Sequence, residues 1–235
     1  RQKNHPLETN IDTPQDVYNI SKELKIPVIV RVNPLGTHTA SEITCALDNG
    51  AKIIMLPMAH NIKEVKTFLK LIDNRAKAII QIETPSLATN VTNLRTLDWD
   101  YAYIGLNDLM VATGQSSIWQ AVFDGTTESI CRRLKGRAFG FGGSTILGGG
   151  EPIINVLILR ELIRLGGTVS IMRRTFKKEL LDRDFNLEMK TLREFVRCCE
   201  TRGPQAIQHD HAHLLRILKG YFNPSVQNVL EKIVV

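Results

Sequence analysis

The sequence has no apolar run close to the roughly 18–20 residues that a helix needs to cross a bilayer. It opens on RQKNHPLETN, without an initiator Met or a secretory leader. We therefore expect a soluble protein with no membrane partner. No CxxC spacing occurs among its cysteines, Cys45, Cys131, Cys198 and Cys199. This cysteine usage favours a reducing, cytoplasmic compartment over a secreted, disulfide-linked fold.

The usual motifs of nucleotide and nucleic-acid binding are also missing. No GxGxxG opens a helix after a strand and no GK[ST] follows a glycine-rich loop, which disfavours dinucleotide and P-loop sites. The net charge is +6, but the basic residues are dispersed, apart from short clusters at 132–137 and 173–178. We therefore expect no nucleic-acid partner and assign these charges to a solvated surface or to acidic ligands.

What is present is a repeated alternation of short apolar runs and helical periodicity. Six runs predict strands, at Pro27–Val32, Lys52–Leu56, Lys77–Ile82, Tyr101–Ile104, Arg137–Phe141 and Thr168–Met172. Strand–helix–strand repeats of about 25 residues predict a parallel α/β sheet, and we favour a (β/α)8 TIM barrel over a doubly wound sheet. Only six strands are predicted, and we expect two N-terminal strands of that barrel to be missing from the sequence. We predict a barrel domain over residues 1–180 and a helical C-terminal extension over residues 181–235.

Two carboxylates follow neighbouring strands of this predicted sheet. Glu83 ends the stretch AIIQIE and Asp108 follows YAYIGLN, one strand–helix unit later. Adjacent parallel strands lie about 4.8 Å apart, so both side chains can reach one cation at the carboxyl edge, where the chemistry of such folds gathers. Two carboxylates with water and substrate oxygens are how Mg²⁺ is usually held, and Mn²⁺ accepts the same ligands.

Other polar residues occupy the same edge. Arg31 lies near the end of the first strand and suits a bidentate contact to a substrate carboxylate. Gln81 and Asn107 accompany the two acids. Together these residues indicate a site that chelates and clamps a 2-oxo acid while negative charge develops on it. A structural alternative stays open: Glu83 forms a buried ion pair with Arg31, and Asp108 caps a helix beginning at Leu109.

Three further features have both a chemical and a structural interpretation. His60 and His38 lie in loops after strands and suit proton transfer, although a loop histidine is more often a solvated residue. The segment FGFGGSTILGGG, with Gly142 and Gly143, suits the binding of a phosphate or acyl chain, or simply a flexible loop at the barrel mouth. Arg173 or Arg174 suits contact with an anionic substrate tail, and strand alternation turns only one of them inward.

Two other chemistries are disfavoured. The tract QHDHAHLL places His209 and His213 on one helix face, but no HExxH motif is present, and an exposed helix start is the preferred interpretation. A Schiff-base mechanism needs a lysine near the catalytic end of the barrel. Lys52 and Lys77 stand at the opposite ends of their strands.

The stretches VRVNP, GAKIIMLPMAHNIKEV, IIQIETPSLATN and YIGLNDL resemble, in order and spacing, the HpcH/HpaI aldolase and citrate lyase family. GFGG and LILRELIRLGGTVSIMRRTF continue this resemblance over roughly residues 10–178. It implies a divalent-metal barrel that makes or breaks carbon–carbon bonds beside an enolisable carbonyl. It also implies metal-ligand roles for Glu83 and Asp108, a grip of Arg31 on the oxo acid, and a place for Gln81 in or beside the metal shell.

The chain departs from that family in three places. The family's earlier Asp-x-Glu motif, and the loop with the catalytic His of the pyruvate aldolases, would precede Arg1. The Gly-Arg-Ser segment of the citryl- and malyl-CoA branch is missing. The tail past Leu181 is longer than the terminal helix of the simple aldolases.

We therefore predict a class II, pyruvate-type carbon–carbon lyase that acts on a 2-oxo acid and an aldehyde through a metal-bound enolate. In this prediction Glu83 and Asp108 hold Mg²⁺ or Mn²⁺, and Arg31 and His60 are catalytic. Substrate-binding residues are Arg31, Gln81, Asn107, Gly142, Gly143 and Arg173. The alternatives are an acyl-CoA lyase of the citryl or malyl type, or an inactive barrel that serves as a binding module. We expect a homo-oligomer.

Overall fold

A computed structural model describes residues 12–223 of the chain. Five parallel strands form one sheet: β1 (Ile29–Arg31), β2 (Ile53–Leu56), β3 (Lys77–Ile82), β4 (Tyr101–Ile104) and β5 (Ala138–Phe141). Their order in the sheet is their order in the chain. A doubly wound sheet reverses this order at a switch point, whereas neighbours that follow one another are typical of a barrel. Five of the six predicted strands are thus confirmed.

The sixth predicted strand, Thr168–Met172, forms only isolated parallel bridges, which pair Gly140 with Val169 and Ser144 with Met172. The segment therefore lies beside β5 without a regular ladder. The reason lies in β5, because the chain after it turns at Gly142 and Gly143, where φ is 82° and 62°. These angles leave the extended region, and glycine adopts them at low cost.

Helices fill the connections between the strands and continue after them. They are α1 (Pro14–Glu23), α2 (Thr39–Asp48), α3 (Ile62–Ile72), α4 (Pro85–Thr89), α5 (Val91–Leu94), α6 (Leu106–Thr113), α7 (Gln120–Phe123), α8 (Thr126–Leu134), α9 (Asn155–Arg164), α10 (Thr175–Glu179), α11 (Phe185–Glu200) and α12 (Pro204–Phe222). Local signals start several of them. The Asn61 side chain, for example, accepts the Glu64 N–H at 3.0 Å and caps α3.

The two faces of the sheet belong to different apolar clusters. One face, with Ile54, Ile80 and Phe139, packs against the helices in the main core. The opposite face carries a small cluster of Met55, Ile79 and Tyr103, and in the part of the chain that the structure describes only residues in or beside the sheet join it. We call this helix-free side the inner face. The candidate site lies where this face meets the carboxyl edge of the sheet.

The predicted helical extension is present as α11 and α12. Both helices pack against α9, and their residues Leu192, Leu214 and Leu218 belong to the main core. The domain boundary at residue 180 stays a prediction. Between residues 12 and 223, no helix is both long and apolar enough to span a membrane.

Candidate functional site

Strand register places several predicted site residues on the inner face. Arg31 is level with Met55 and Ile79 across β1, β2 and β3, and so it projects from the same face as they do. Two residues further along, Gln81 of β3 is level with Tyr103 of β4. The parallel sheet thus places Arg31, Met55 and Ile79 in one row across the inner face. Gln81 and Tyr103 form the next row toward the carboxyl edge, as strand alternation predicts.

Glu83 continues this alternation just beyond β3 and is 1% exposed. Its Oε1 accepts the N–H of Met58 at 2.8 Å. Its Oε2 is buried and has no hydrogen-bond partner among residues 12–223, and the same holds for Oε1 of Gln81. Buried polar atoms are normally paired, so two orphaned oxygens at neighbouring inner-face positions mark a place that suits a ligand.

The backbone around Glu83 is held by the neighbouring loop. Met58 has φ of 54°, an uncommon conformation for a residue with a side chain, and this conformation aims its N–H at the Glu83 carboxylate. Thr84 is buried, and its hydroxyl donates to the Ala59 carbonyl at 2.6 Å. These two bonds tie the tip of β3 to the loop after β2.

Burial and the neighbouring charges make the Glu83 carboxyl group a weaker acid than usual. Burial above all, and then the negative charge of Asp108, raise the pKa of Glu83 to about 7, against the smaller lowering effects of the Met58 N–H and the positive charge of Arg31. The Asp108 and Arg31 side chains therefore lie close enough to act on the same carboxyl group. A buried carboxyl group with a second acid beside it suits a shared cation.

The structural alternative for these residues is not observed. Within residues 12–223, Glu83 and Arg31 form no ion pair. The helix after β4 begins at Leu106 rather than Leu109, and in the described chain no side chain caps it. Asp108 instead lies in the first turn of α6, where the helix dipole favours a negative charge.

The lack of a side chain at Gly105, just before α6, makes room for the Glu83 carboxylate. A Cβ built on it would lie 2.8 Å from the Cβ of Glu83 and closer still to its Oε2. Real side chains do not approach so closely, and the Glu83 carboxylate therefore occupies its position only because residue 105 has no side chain. The glycine of the IGLNDL segment is part of the site's geometry.

The remaining predicted residues lie at the same edge but are more open. Asn107 and His60 are exposed, and the backbone N–H of His60 donates to Glu64 at 2.7 Å at the start of α3. His60 follows β2, the strand between β1 and β3. The structure therefore places it beside Arg31 and Glu83 in strand order, and its role in proton transfer stays a prediction.

The glycine-rich segment after β5 is organised by buried polar residues. Asn155 is fully buried, and its Nδ2 donates to the Thr145 carbonyl at 2.7 Å and to Ser144 Oγ at 3.1 Å. Glu179 accepts the hydroxyl of Thr145 and, at 3.2 Å, the N–H of Gly150. These bonds hold the segment in a defined conformation.

Arg173 contacts the glycine-rich segment. Its Nε donates to the Gly143 carbonyl at 3.2 Å, and its guanidinium lies 5.4 Å from the ring centroid of Trp119. The Gly143 N–H donates in turn to the Tyr103 hydroxyl at 2.8 Å. Gly143 and Arg173, both predicted site residues, are therefore brought together with Tyr103 of the inner face, while Gly142 supplies the turn that allows it.

Sequence reasoning missed Met58, Thr84 and Tyr103. Strand alternation could have found Tyr103, because it stands two residues before Gly105 and shares the inner face. No sequence signal marks Met58, which acts through its backbone N–H, or Thr84, whose partner is a carbonyl of another loop.

A second cluster of ligand-type residues lies elsewhere. Glu128, Glu161 and His211 have ligand atoms within 4.8 Å of one another. Arg164 already donates to Glu161 at 2.7 and 2.8 Å and to Glu128 at 2.6 Å. Because a guanidinium occupies both carboxylates, the group is an ion-pair network that joins α8, α9 and α12. Of the histidines in QHDHAHLL, His211 contacts this network through Glu161, whereas His209 is exposed.

The chain was compared with known proteins. No family model matches it, and no curated protein does. Several solved structures match. Macrophomate synthase aligns with a TM-score of 0.54 at 16% identity over 82% of this chain and 76% of its own. A citrate lyase from Burkholderia xenovorans LB400 gives 0.53 at 12% identity over 88% and 79%. An HpcH/HpaI aldolase from Desulfitobacterium hafniense DCB-2 gives 0.52 at 13% identity over 82% and 81%.

The chain shares the fold of these structures. The resemblance noted in the sequence is thereby confirmed at the level of fold, with proteins named as an aldolase and a lyase among the structural neighbours. At such identities the likeness does not extend to the reaction. The case for a reaction rests on the residues of the inner face.

Proposed function

We propose that the chain is a divalent-metal-dependent carbon–carbon lyase that acts on a 2-oxo acid. The observation that carries this proposal is the buried Glu83 Oε2, which has no hydrogen-bond partner among residues 12–223 and feels the negative charge of Asp108. A buried carboxylate left in this way costs free energy. A cation shared with Asp108 would remove that cost.

The donor set suits Mg²⁺ or Mn²⁺. It consists of carboxylate oxygens from Glu83 and Asp108, with the amide oxygen of Gln81 close by on the same face, and contains no sulfur or imidazole. The bound ion supplies a Lewis acid that polarises the keto group of the substrate. Gly105 keeps the Glu83 carboxylate accessible, and the Met58 N–H fixes its orientation.

Arg31 binds the substrate carboxylate in this proposal. It lies on the inner face, its charge acts on Glu83, and it has no ion-pair partner in the described part of the chain. A guanidinium donates two parallel hydrogen bonds to a carboxylate, which orients the keto group toward the acidic pair. Asn107, exposed beside Asp108, is available to bind the hydroxyl that becomes the aldehyde.

We assign proton transfer to His60, because β2 lies between the strands of Arg31 and Glu83. The sequential strand order also supports a (β/α)8 barrel, to which the five strands and the segment 168–172 contribute successive parts. An aldehyde as second product, a homo-oligomeric state and a cytoplasmic location belong to the same proposal.

Isothermal titration tests the site directly. We expect Mg²⁺ to bind the 235-residue chain, and pyruvate to bind only when the metal is present. Glu83→Ala with Asp108→Ala should abolish both, whereas Arg31→Met should abolish pyruvate binding alone. Unchanged binding of both ligands to the double variant would refute the proposal.

Turnover assays separate the rival reactions. A pyruvate-type lyase releases pyruvate from 4-hydroxy-2-oxo acids, whereas the acyl-CoA alternative consumes citryl- or malyl-CoA thioesters. Metal and pyruvate binding without turnover of either substrate class would favour the binding-module alternative. Glu200, exposed on α11, provides a matched control as Glu200→Ala.

A further inference from the structure

A cavity lies at the amino edge of the sheet, at the opposite end of the strands from the candidate site. Its volume of about 480 Å³ is within the range of small-molecule sites. It is enclosed by the starts of β2 and β3, the chain just before β4, and the end of α3. About 17 Å of strand separates Ala78, at this edge, from Glu83. A ligand the size of an amino acid therefore cannot reach both places.

Two acids border this cavity. Asp100 is fixed to β3, because its Oδ2 accepts the Ala78 N–H at 2.8 Å and its own N–H donates to the Ala78 carbonyl at 3.1 Å. The other carboxylate oxygen of Asp100, and both oxygens of Asp98, accept no hydrogen bond from residues 12–223. These oxygens are available to accept hydrogen bonds from a ligand.

The loop that carries the two acids is held by a cation that pairs with neither of them. Arg137 donates to the Leu97 carbonyl at 3.1 Å and to the Trp99 carbonyl, and its guanidinium lies 3.9 Å from the centroid of the Trp99 ring. Within residues 12–223, Asp98 and Asp100 form no ion pair. The fold thus fixes the loop but leaves both negative charges uncompensated. A loop that is already ordered lowers the free-energy cost of binding a cation there.

A cation borders the cavity from the direction of β2. Lys52 is exposed, and its ammonium group has no hydrogen bond or ion pair within the part of the chain that the structure describes. Lys77 also borders the cavity, but its Nζ donates to the Tyr101 hydroxyl at 3.3 Å and lies 5.5 Å from the centroid of that ring. Lys52 is therefore the available cation, two strand positions from the acids before β4.

Apolar side chains complete the lining. Leu69 and Ile72 of α3 contribute to it, together with Ala76 and Ala78 around the start of β3. Ile72 and Ala78 are buried, and so this part of the cavity is continuous with the main core. A negative group, a positive group and an apolar surface thus surround one space.

We propose that this cavity binds a free α-amino acid with an aliphatic side chain. The ammonium group of the ligand donates to Asp98 and Asp100, its carboxylate accepts from Lys52, and its side chain packs against Leu69 and Ile72. Charged hydrogen bonds at both ends select a zwitterion over a simple carboxylate or amine. Barrel enzymes carry out their reactions at the carboxyl edge, so this site is separate from the proposed lyase reaction and does not depend on it.

Isothermal titration of the 235-residue chain in buffer with EDTA tests the site. L-leucine should bind at one site with a Kd between about 10 μM and 1 mM, because exposed ion pairs contribute modestly. 4-Methylpentanoate lacks the ammonium group and 3-methylbutylamine lacks the carboxylate. Each should bind at least about tenfold more weakly than L-leucine, the size of one lost charged hydrogen bond. Glycine, which lacks the side chain, should also bind more weakly.

Substitutions of exposed side chains assign the binding to this cavity without disturbing the core. Lys52→Met and Asp98→Asn should each weaken L-leucine binding at least about tenfold. Lys63→Met, in the first turn of α3, and Asp48→Asn, at the end of α2, remove exposed charges outside the cavity. These matched controls should bind L-leucine as the natural sequence does.

The double variant Glu83→Ala with Asp108→Ala distinguishes this site from the inner-face site. It should keep full affinity for L-leucine, so a failure of the proposed lyase function leaves this proposal intact. Loss of L-leucine binding in the double variant would place the amino acid on the inner face and overturn the proposal. The same follows from no binding of L-leucine up to about 10 mM, from equally tight binding of any of the three analogues, or from unchanged affinity in either Lys52→Met or Asp98→Asn.

Discussion

Glu83→Gln is the most informative perturbation of this site, because it removes a charge and changes little in shape. The glutamine oxygen can still accept the Met58 N–H. In the folded chain burial raises the pKa of Glu83 to about 7, against a reference value of 4.5. Between these two values the folded state binds a proton that the unfolded state releases, so the free energy of unfolding falls as the pH rises from 4.5 through 7.

The size of this effect follows from the shift. A difference of about 2.5 pKa units corresponds to about 3 kcal/mol at full ionisation. Most of this loss falls between pH 5 and pH 8, and the glutamine variant does not share it. In metal-free buffer, the free energy of unfolding of the natural sequence should therefore fall by on the order of 2–3 kcal/mol from pH 5 to pH 8, relative to that of Glu83→Gln.

Urea unfolding at pH 5 and pH 8, with EDTA or with saturating Mg²⁺, measures this gain. The ion should stabilise the natural sequence at pH 8 and leave Glu83→Gln nearly unchanged, because binding to the folded state adds stability only where a site exists. Glu200→Gln, an exposed carboxylate on α11, should follow the natural sequence. Identical pH dependence in Glu83→Gln and the natural sequence, or equal stabilisation by Mg²⁺, would refute the reasoning.

Three further substitutions test the surrounding structure. Gly105→Ala forces a Cβ against Glu83. It should abolish Mg²⁺ binding in a calorimetric titration and lower the free energy of unfolding by about 1–3 kcal/mol. Unchanged Mg²⁺ affinity would contradict the proposed role of the space at Gly105. Asn155→Ala leaves buried polar groups of the glycine segment unpaired and should cost about 2–3 kcal/mol in urea unfolding. Arg164→Leu leaves the buried Glu161 carboxylate without its arginine and should lower the free energy of unfolding by about 3–5 kcal/mol. A second change, Glu161→Leu, should restore most of this loss. Additive losses in the two single variants and the double variant would argue against the network.

The strands were predictable from local pattern, because a buried parallel strand needs a short apolar run and little else. Lys77–Ile82 and Tyr101–Ile104 have the predicted bounds, and the ends of β1, β2 and β5 lie within two residues of the prediction. The segment 168–172 was less predictable. Its apolar pattern suits a strand, but the turn at Gly142 and Gly143 in the neighbouring chain limits it to isolated bridges.

The candidate site was likewise predictable only in part. Glu83 and Asp108 could be selected from sequence because charged residues directly after apolar strands need partners, and one strand–helix unit sets their spacing. The contact of Arg173 with Gly143 and Tyr103, by contrast, joins three separate strands or loops. Such a contact depends on backbone directions that the sequence pattern does not contain.

The sequence by itself determined which side chains stand at the carboxyl edge of a parallel sheet, because alternation and the length of each repeat are local properties of the chain. Only the tertiary structure decided what those side chains experience there. Within residues 12–223, the Glu83 oxygen and the Arg173 Nη2 that have no hydrogen-bond partner, the raised pKa of Glu83 and the clearance at Gly105 all depend on residues distant in sequence. Desolvation and close contact depend on the whole fold, and they turn a row of polar residues into a candidate site.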